Sequence, residues 1–255
     1  MATTLSRGQL AGFGSDLYFH LRLLIGAVLI GGGSLLGIII AFCLSMVGRH
    51  HEAGWVTAPF VRIPFKLALG TSFRIVSGAE YLNGVRPAVL VANHQSDLDM
   101  VLIQTVWPRF CSVVAKKQTR QRPFLGLFVK LCGAIFVERN NTSKDILTLD
   151  QAAELIQREQ QSVFFFAEGT RSRATKPMLL PFKKGAFHLA VKAKVPILPV
   201  VSEIYSHTYC RQEKRFNRGE IRVKGKFTIT SYSHSSLSVD KVSSVAPCVH
   251  RLSVR

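Results

Sequence analysis

A chain of 255 residues can form one sizeable core with an appendage, and 33 lysines and arginines against 15 acidic residues give it a net charge of +18. That excess points to an anionic partner, whether nucleic acid, acidic lipid headgroups or phosphorylated ligands, but 47% hydrophobic residues and a mean hydropathy of +0.21 fit a membrane surface better than a soluble nucleic-acid binder. Five scattered cysteines, odd in number and without a CxxC pair, suggest neither a disulfide framework nor a zinc site and point to a reducing compartment.

Residues 1–22 form an N-terminal segment, of which 1–15 are small and polar and carry no strong signal. From Leu23 to Gly48 run 26 residues without a charge, between Arg22 and Arg49, longer than the roughly 20 needed to cross a bilayer core. The length and the lack of a small-residue cleavage site predict a retained transmembrane anchor over 23–48 rather than a signal peptide. Its glycines (26, 31, 32, 33 and 37) favour close helix packing, and the Gly31–Gly33 run could break the segment. One spanning helix is the first reading and a re-entrant hairpin the second. Arg49, Arg62, Lys66 and Arg74 follow the segment and outnumber the charges before it, placing the C-terminal part on the cytosolic side. Residues 49–72 mix Trp55, Phe60 and Phe65 with Arg62 and Lys66 and hold Pro59 and Pro64; they read as an interfacial linker lying on the membrane, or as an ordinary packed connection.

From Phe73 onward apolar strands alternate with helical patterns. Strands are predicted at 73–76, 88–92, 110–115, 134–137, 163–167 and 197–201, and Glu220–Thr230 alternates in the same way. Thr142–Asp145 resembles a capping box before Ile146, Leu149, Ala153 and Ile156 on one face, and 183–193 forms a second helical pattern. The alternation predicts an α/β fold over 73–230, a mostly parallel sheet with helices on both faces. Residues 231–255 are Ser-rich with few large apolar residues and are not expected to pack.

Four stretches follow strands, where an α/β sheet collects its ligands. In Asn93-His94-Gln95-Ser96-Asp97-Leu98-Asp99, the histidine stands where a strand hands over to a helix, with Ser96 or Asp97 available as cap. Asp99 can reach one imidazole nitrogen and leave the other outward: a base and its orienter without a Ser or Cys nucleophile, which a substrate hydroxyl would have to replace. A capping aspartate beside a half-buried histidine gives the same local pattern, so the pair alone decides nothing. The second stretch, Gly133–Arg139, delivers Arg139 at a strand end. The third, Phe166–Ser172, has Gly169 for a tight turn, after which Thr170, Arg171, Ser172 and Arg173 crowd together donors suited to a phosphate monoester. Lys183 and Lys184 follow in Leu180–Gly185. The fourth, Val195–Val200, is bracketed by prolines and reads as structural. Singly, Arg139 could be a solvated strand end, Glu168 a surface ion pair and the two lysines a charged helix start.

Together these stretches are similar to the motifs of the glycerolipid acyltransferases: His94–Asp99 as HX4D, then GAIFVER, EGTRS with LPFKKGAFHLA, and VPILPV, in the family's order over about Val76–Val201. The chain most resembles the eukaryotic membrane-bound 1-acyl-sn-glycerol-3-phosphate acyltransferases. The resemblance implies acyl transfer from acyl-CoA, as co-substrate, to the sn-2 hydroxyl of lysophosphatidic acid, giving phosphatidic acid for phospholipid synthesis at the endoplasmic reticulum membrane. It implies His94 as general base and Asp99 as its orienter, with Arg139, Glu168, Gly169, Thr170 and Arg171 on the acceptor's glycerol phosphate. Lys183 and Lys184 would contact acceptor or CoA phosphates. It implies no metal, no cofactor and no nucleic-acid partner, and leaves the oligomeric state open. A different acceptor, glycerol 3-phosphate or another lysophospholipid, and a non-catalytic anionic-lipid binder are the alternatives; nucleic-acid binding accounts for the charge but not for the anchor. Ala167 stands where the family often has proline, and 231–255 do not continue as the family's C-terminus would.

Overall fold

The computed structural model describes residues 7–137 and 142–225, with side chains described over 14–137 and 148–225. The elements follow in the order α1 (Arg7–Met46), α2 (Ala53–Leu69), β1 (Thr71–Ser77), α3 (Ala79–Gly84), β2 (Val89–Ala92), α4 (Asp99–Val106) and β3 (Cys111–Lys116). Then come α5 (Leu125–Leu131), β4 (Ile135–Val137), α6 (Thr142–Glu159), β5 (Ser162–Phe166), α7 (Gly185–Ala193), β6 (Ile197–Ser202), β7 (Tyr209–Cys210), β8 (Arg215–Phe216) and β9 (Gly219–Gly225).

Seven strands form one sheet in the order β1-β9-β6-β2-β5-β3-β4, and β7 and β8 make a separate hairpin. The block β6-β2-β5-β3-β4 is parallel throughout, β9 turns antiparallel against β6, and β1 runs parallel to β9. The central strand β2 is buried at all four residues, as a parallel strand covered on both faces must be. Period-two alternation divides its side chains: Leu90 and Ala92 join a core with Phe65, Leu102 and Phe164, whereas Val89 and Val91 join one with Ile156, Phe187 and Ile197. The predicted mostly parallel sheet with helices on both faces is therefore present. The capping-box side chains at 142–145, residues 226–230 of the last predicted strand and the 231–255 tail lie outside the described side chains or residues.

The N-terminal region differs from expectation in three respects. First, α1 is one continuous helix, as the first reading expected, but it is described from Arg7, so residues 7–22 join the anchor rather than stand apart from it, and Gly31–Gly33 do not break the helix. Second, the expected linker 49–72 is largely the helix α2, which runs through both Pro59 and Pro64 because tertiary packing outweighs the local loss of donors. Third, α1 does not stand apart from the catalytic part. Phe19 stacks against Tyr209, the buried Arg22 donates to the Leu69 carbonyl at the end of α2, and Gly37 faces Phe128 of α5. A Cβ at Gly37 would stand 2.5 Å from the Phe128 ring, so only glycine allows this approach. The helix therefore leaves one apolar side exposed rather than its whole circumference: Leu24, Val28, Leu35, Ile39 and Phe42 are exposed, as are Phe60, Ile63 and Leu67 of α2. Residues 14–46 remain long and apolar enough to cross a membrane, with a mean hydropathy of 2.5 in the most apolar stretch.

Candidate active site

The site lies at the C-terminal ends of β2, β5 and β6. Ala92 pairs with Phe166 and Val200, so the residues after these strands emerge side by side. Asn93 and Gln95, on either side of His94, are buried and bind the end of β6. The Asn93 side chain donates to the Ser202 carbonyl and accepts from its amide, both at 3.0 Å, and Gln95 Nε2 donates to Ser202 Oγ at 2.9 Å and to the Glu203 carbonyl at 2.9 Å. These amides fix the loop so that His94 projects from a braced backbone.

His94 Nδ1 lies 2.7 Å from Asp99 Oδ2, which also accepts from the amides of Gln95 at 2.6 Å and Ser96 at 3.0 Å. Asp99, only 1% exposed, opens α4 in its first turn. It is thus both the anion at a helix start and the orienter of the histidine; the two sequence readings describe one carboxylate. The N-cap position itself is Leu98, without a side-chain cap, so neither Ser96 nor Asp97 fills the expected role, although Ser96 Oγ accepts from the Leu98 amide at 3.1 Å. An anionic Asp99 facing Nδ1 assigns the proton to that nitrogen and leaves Nε2 as acceptor. Phe166 stacks on the imidazole at 3.9 Å between centroids and 16° between planes, walling off one side.

Tyr205 completes the arrangement. Its buried hydroxyl donates to Asp99 Oδ1 at 2.6 Å and accepts from Ser96 Oγ at 3.0 Å. Burial, then the negative charge of Asp99, pushes the phenol well above its ordinary range, so it stays a donor. Ser96 is committed to Tyr205 and to the Leu98 amide, and the buried thiol of Cys132 is pushed up to about 12 by desolvation. Neither is placed as a nucleophile.

The remaining predicted residues separate. Glu168 is 2% exposed and accepts from the His94 amide at 2.7 Å and the Leu180 amide at 3.0 Å, so it ties the β2 and β5 loops together rather than facing a phosphate. Desolvation raises its pKa, against the pull of those two amides. Gly169 takes the left-handed conformation (φ 69°) of the expected tight turn. Thr170 is exposed, and Arg171 Nη1 sits 2.7 Å from Asp97 Oδ1. The chain then returns along the motif, the Ser172 amide donating to the His94 carbonyl at 2.8 Å. Lys183 and Lys184 are exposed just before α7. Arg139 lies outside the described residues, although β4, which leads to it, is aligned with Lys116 at the end of β3. Sequence reasoning missed Asn93, Gln95 and Tyr205. The first two lay inside the quoted motif without a role, and Tyr205, 106 positions from Asp99, carried no local signal.

Comparison with known proteins agrees with this geometry. The family model described as Acyltransferase matches residues 74–203, which hold the His94–Asp99 pair and Glu168 but stop short of Tyr205. The chain is 35% identical over 228 residues to the 1-acyl-sn-glycerol-3-phosphate acyltransferase of Saccharomyces cerevisiae, covering 89% of this chain and 74% of that protein. It is 36% identical over 204 residues to the human 1-acyl-sn-glycerol-3-phosphate acyltransferase beta, covering 80% and 71%. The fold matches the crystal structure of the 1-acyl-sn-glycerophosphate (LPA) acyltransferase of Thermotoga maritima with a TM-score of 0.69, at 24% identity over 96% of this chain and 98% of that one. With its family match extending over half the chain and its His94–Asp99 pair assembled at the strand ends, the protein is an acyltransferase that belongs to the 1-acylglycerol-3-phosphate acyltransferase family.

Proposed function

We propose that this enzyme transfers a fatty acyl chain from acyl-CoA to the sn-2 hydroxyl of lysophosphatidic acid, giving phosphatidic acid and free CoA. The observation that carries the reading is the 2.7 Å contact between His94 Nδ1 and the buried Asp99, which reserves Nε2 for a substrate proton. Nε2 takes the proton of the acceptor hydroxyl as its oxygen forms the new bond to the thioester carbonyl carbon. The carbon–sulfur bond then breaks, and the imidazolium returns the proton to the departing thiolate. Asp99 stabilises the imidazolium between these steps, and no acyl-enzyme is needed. Thr170 and Arg171, with Arg139, Lys183 and Lys184, are the donors assigned to the phosphates of acceptor and CoA. Glu168 and Gly169 serve by shaping the loop that presents them.

The exposed apolar sides of α1 and α2 bring the site to the membrane that holds the acceptor. The basic residues after α1 support a cytosolic catalytic part, and endoplasmic reticulum is the compartment this reading assigns.

Acyl transfer from labelled acyl-CoA to lysophosphatidic acid, by wild type beside His94→Ala and Asp99→Asn, tests the proposal. The expected loss is about 10²–10⁴-fold in kcat for His94→Ala, with liposome binding retained. Equal rates in wild type and His94→Ala refute the catalytic role. Activity on lysophosphatidylcholine alone refutes the acceptor.

A further inference from the structure

The turn between α1 and α2 holds a second cluster of titratable side chains, remote from the dyad. His50 and His51 lie ring against ring, 3.7 Å between centroids and tilted by 45°. His51 Nε2 stands 3.2 Å from Oε2 of Glu159, the last residue of α6 and 108 positions further along the chain. The other ring nitrogen of His51, Nδ1, is buried and has no partner among the described residues. Glu159 lies just before β5, whereas Phe166 ends that strand beside His94, so this contact and the dyad occupy opposite ends of the sheet.

Few charges face the pair. Neither the last turn of α1 nor the first turn of α2 carries one. Glu52 is occupied by Arg49 and by Arg109, ahead of β3, and Arg158 donates to Oε1 of Glu159. Glu159 is therefore the one carboxylate left to the two imidazoles among the described residues. It offsets one proton on the pair; a second sets two imidazolium rings side by side. Burial, then the charge of His51, lowers the His50 pKa from its ordinary value, and Glu159 pulls the other way. An aliphatic pair would fill the same space without leaving a buried nitrogen unpaired, so packing alone does not account for the histidines. Histidine is the side chain whose charge ordinarily changes between pH 5 and 8, and the cluster is placed to respond in that range.

We propose that His50, His51 and Glu159 form a proton-operated latch between the helix pair α1–α2 and the catalytic part. The latch is closed while the histidine pair carries at most one proton; uptake of a second separates His51 from Glu159 and loosens the turn from α6. The open form binds more protons than the closed one. Closure is therefore complete above the ordinary histidine pKa of 6.5 and is lost as pH falls below it toward the lowered value. Opening weakens the attachment of the catalytic part to the helices, a control by pH that does not pass through the dyad. That consequence rests on the acyl-transfer reading; the latch itself does not.

Both tryptophans of the chain report on this junction. Trp107 is buried against Gly54 of α2, where an added Cβ would meet the indole at 2.3 Å, and Trp55 lies 5.0 Å from the Arg109 guanidinium. The test is tryptophan emission and far-ultraviolet circular dichroism of the purified full-length protein in detergent micelles, titrated from about pH 8 to pH 5. Wild type is compared with His50→Gln, Glu159→Gln and His94→Gln. The expected result in wild type is a reversible red shift that sets in below about pH 6.5, with unchanged circular dichroism. His50→Gln should abolish the shift, because it removes the site of the second proton. Glu159→Gln should move it to higher pH, because loss of the carboxylate disfavours protons on the closed pair still further and weakens the closed form. His94→Gln should leave it as in wild type. A flat wild-type emission, a shift that persists in His50→Gln or disappears in His94→Gln, a Glu159→Gln midpoint at or below that of wild type, or a shift accompanied by loss of circular dichroism overturns the latch. Acyl transfer to lysophosphatidic acid in vesicles is then compared at about pH 7.5 and pH 5.8. The ratio of wild-type to His50→Gln rates, in which the pH dependence of the dyad cancels, should fall several-fold at the lower pH. A constant ratio overturns the control of activity. Absence of transfer by both proteins at both pH values overturns the acyl-transfer reading, and the emission still decides the latch.

Discussion

Asp99 accepts hydrogen bonds from the His94 ring, the Gln95 and Ser96 amides and the Tyr205 hydroxyl, and only the last reaches Oδ1. Removing that donor leaves an oxygen of a 1%-exposed carboxylate without its partner, a situation that costs about 1–3 kcal/mol. Tyr205→Phe should therefore lower kcat about tenfold while the KM values stay near wild type. A purely structural tyrosine would lower the thermal midpoint and leave kcat unchanged, so kcat measured beside the midpoint distinguishes the two. The pairing could not be read locally: a tyrosine after β6 gives no sign of which carboxylate it will meet. His94 and Asp99 could be read, because five positions across a strand-to-helix junction bring them together whatever the rest of the chain does.

At the scale of elements, the helix pair α1–α2 is held by small residues on one side and by Arg22 at one end. The Arg22 guanidinium donates to the Leu69 carbonyl and lies 4.8 Å from the Phe216 ring, so a charge that reads as the flank of an apolar span is turned into the protein. Gly37→Leu should separate α1 from α5 and α2, since even a Cβ would stand 2.5 Å from Phe128 and 2.9 Å from Thr57 Cγ2. Overpacking of this kind costs about 1–3 kcal/mol, measurable as a lower midpoint of unfolding in micelles. An unchanged midpoint would mean that the two helices do not pack in solution as described. The glycines did suggest close packing from sequence. The partner helix was concealed by its own Pro59 and Pro64, which argue locally for a linker.

Across the whole molecule, Glu52 at the turn between α1 and α2 fastens the helix pair to the catalytic part. It accepts from Arg109, ahead of β3, at 2.8 Å and from Arg49 at 2.9 Å. The Arg109 hydrogen bond, opposed by burial and aided by Arg49, holds the Glu52 carboxyl below its ordinary range. A carboxyl lowered in the folded state adds stability above its unfolded pKa, and that contribution is lost as pH falls through the lowered value. Wild type should therefore lose stability on acidification below about pH 4.5 more steeply than Glu52→Gln, which lacks the titrating group. Thermal midpoints from pH 7 to pH 3 check this, and parallel curves would remove Glu52 from the account.

The strands, the parallel order they imply and the His94–Asp99 pair were determined by the sequence itself, because period-two burial and a five-residue spacing are local properties of a chain. Only the tertiary structure decided that Glu168 braces two loops, that Tyr205 serves Asp99, that Arg211 joins Arg171 at Asp97, and that α1 lies along the catalytic part. Each of these joins residues far apart in sequence, and no local pattern encodes such a contact; it arises only when packing of the sheet and its helices brings the partners within hydrogen-bonding or van der Waals distance.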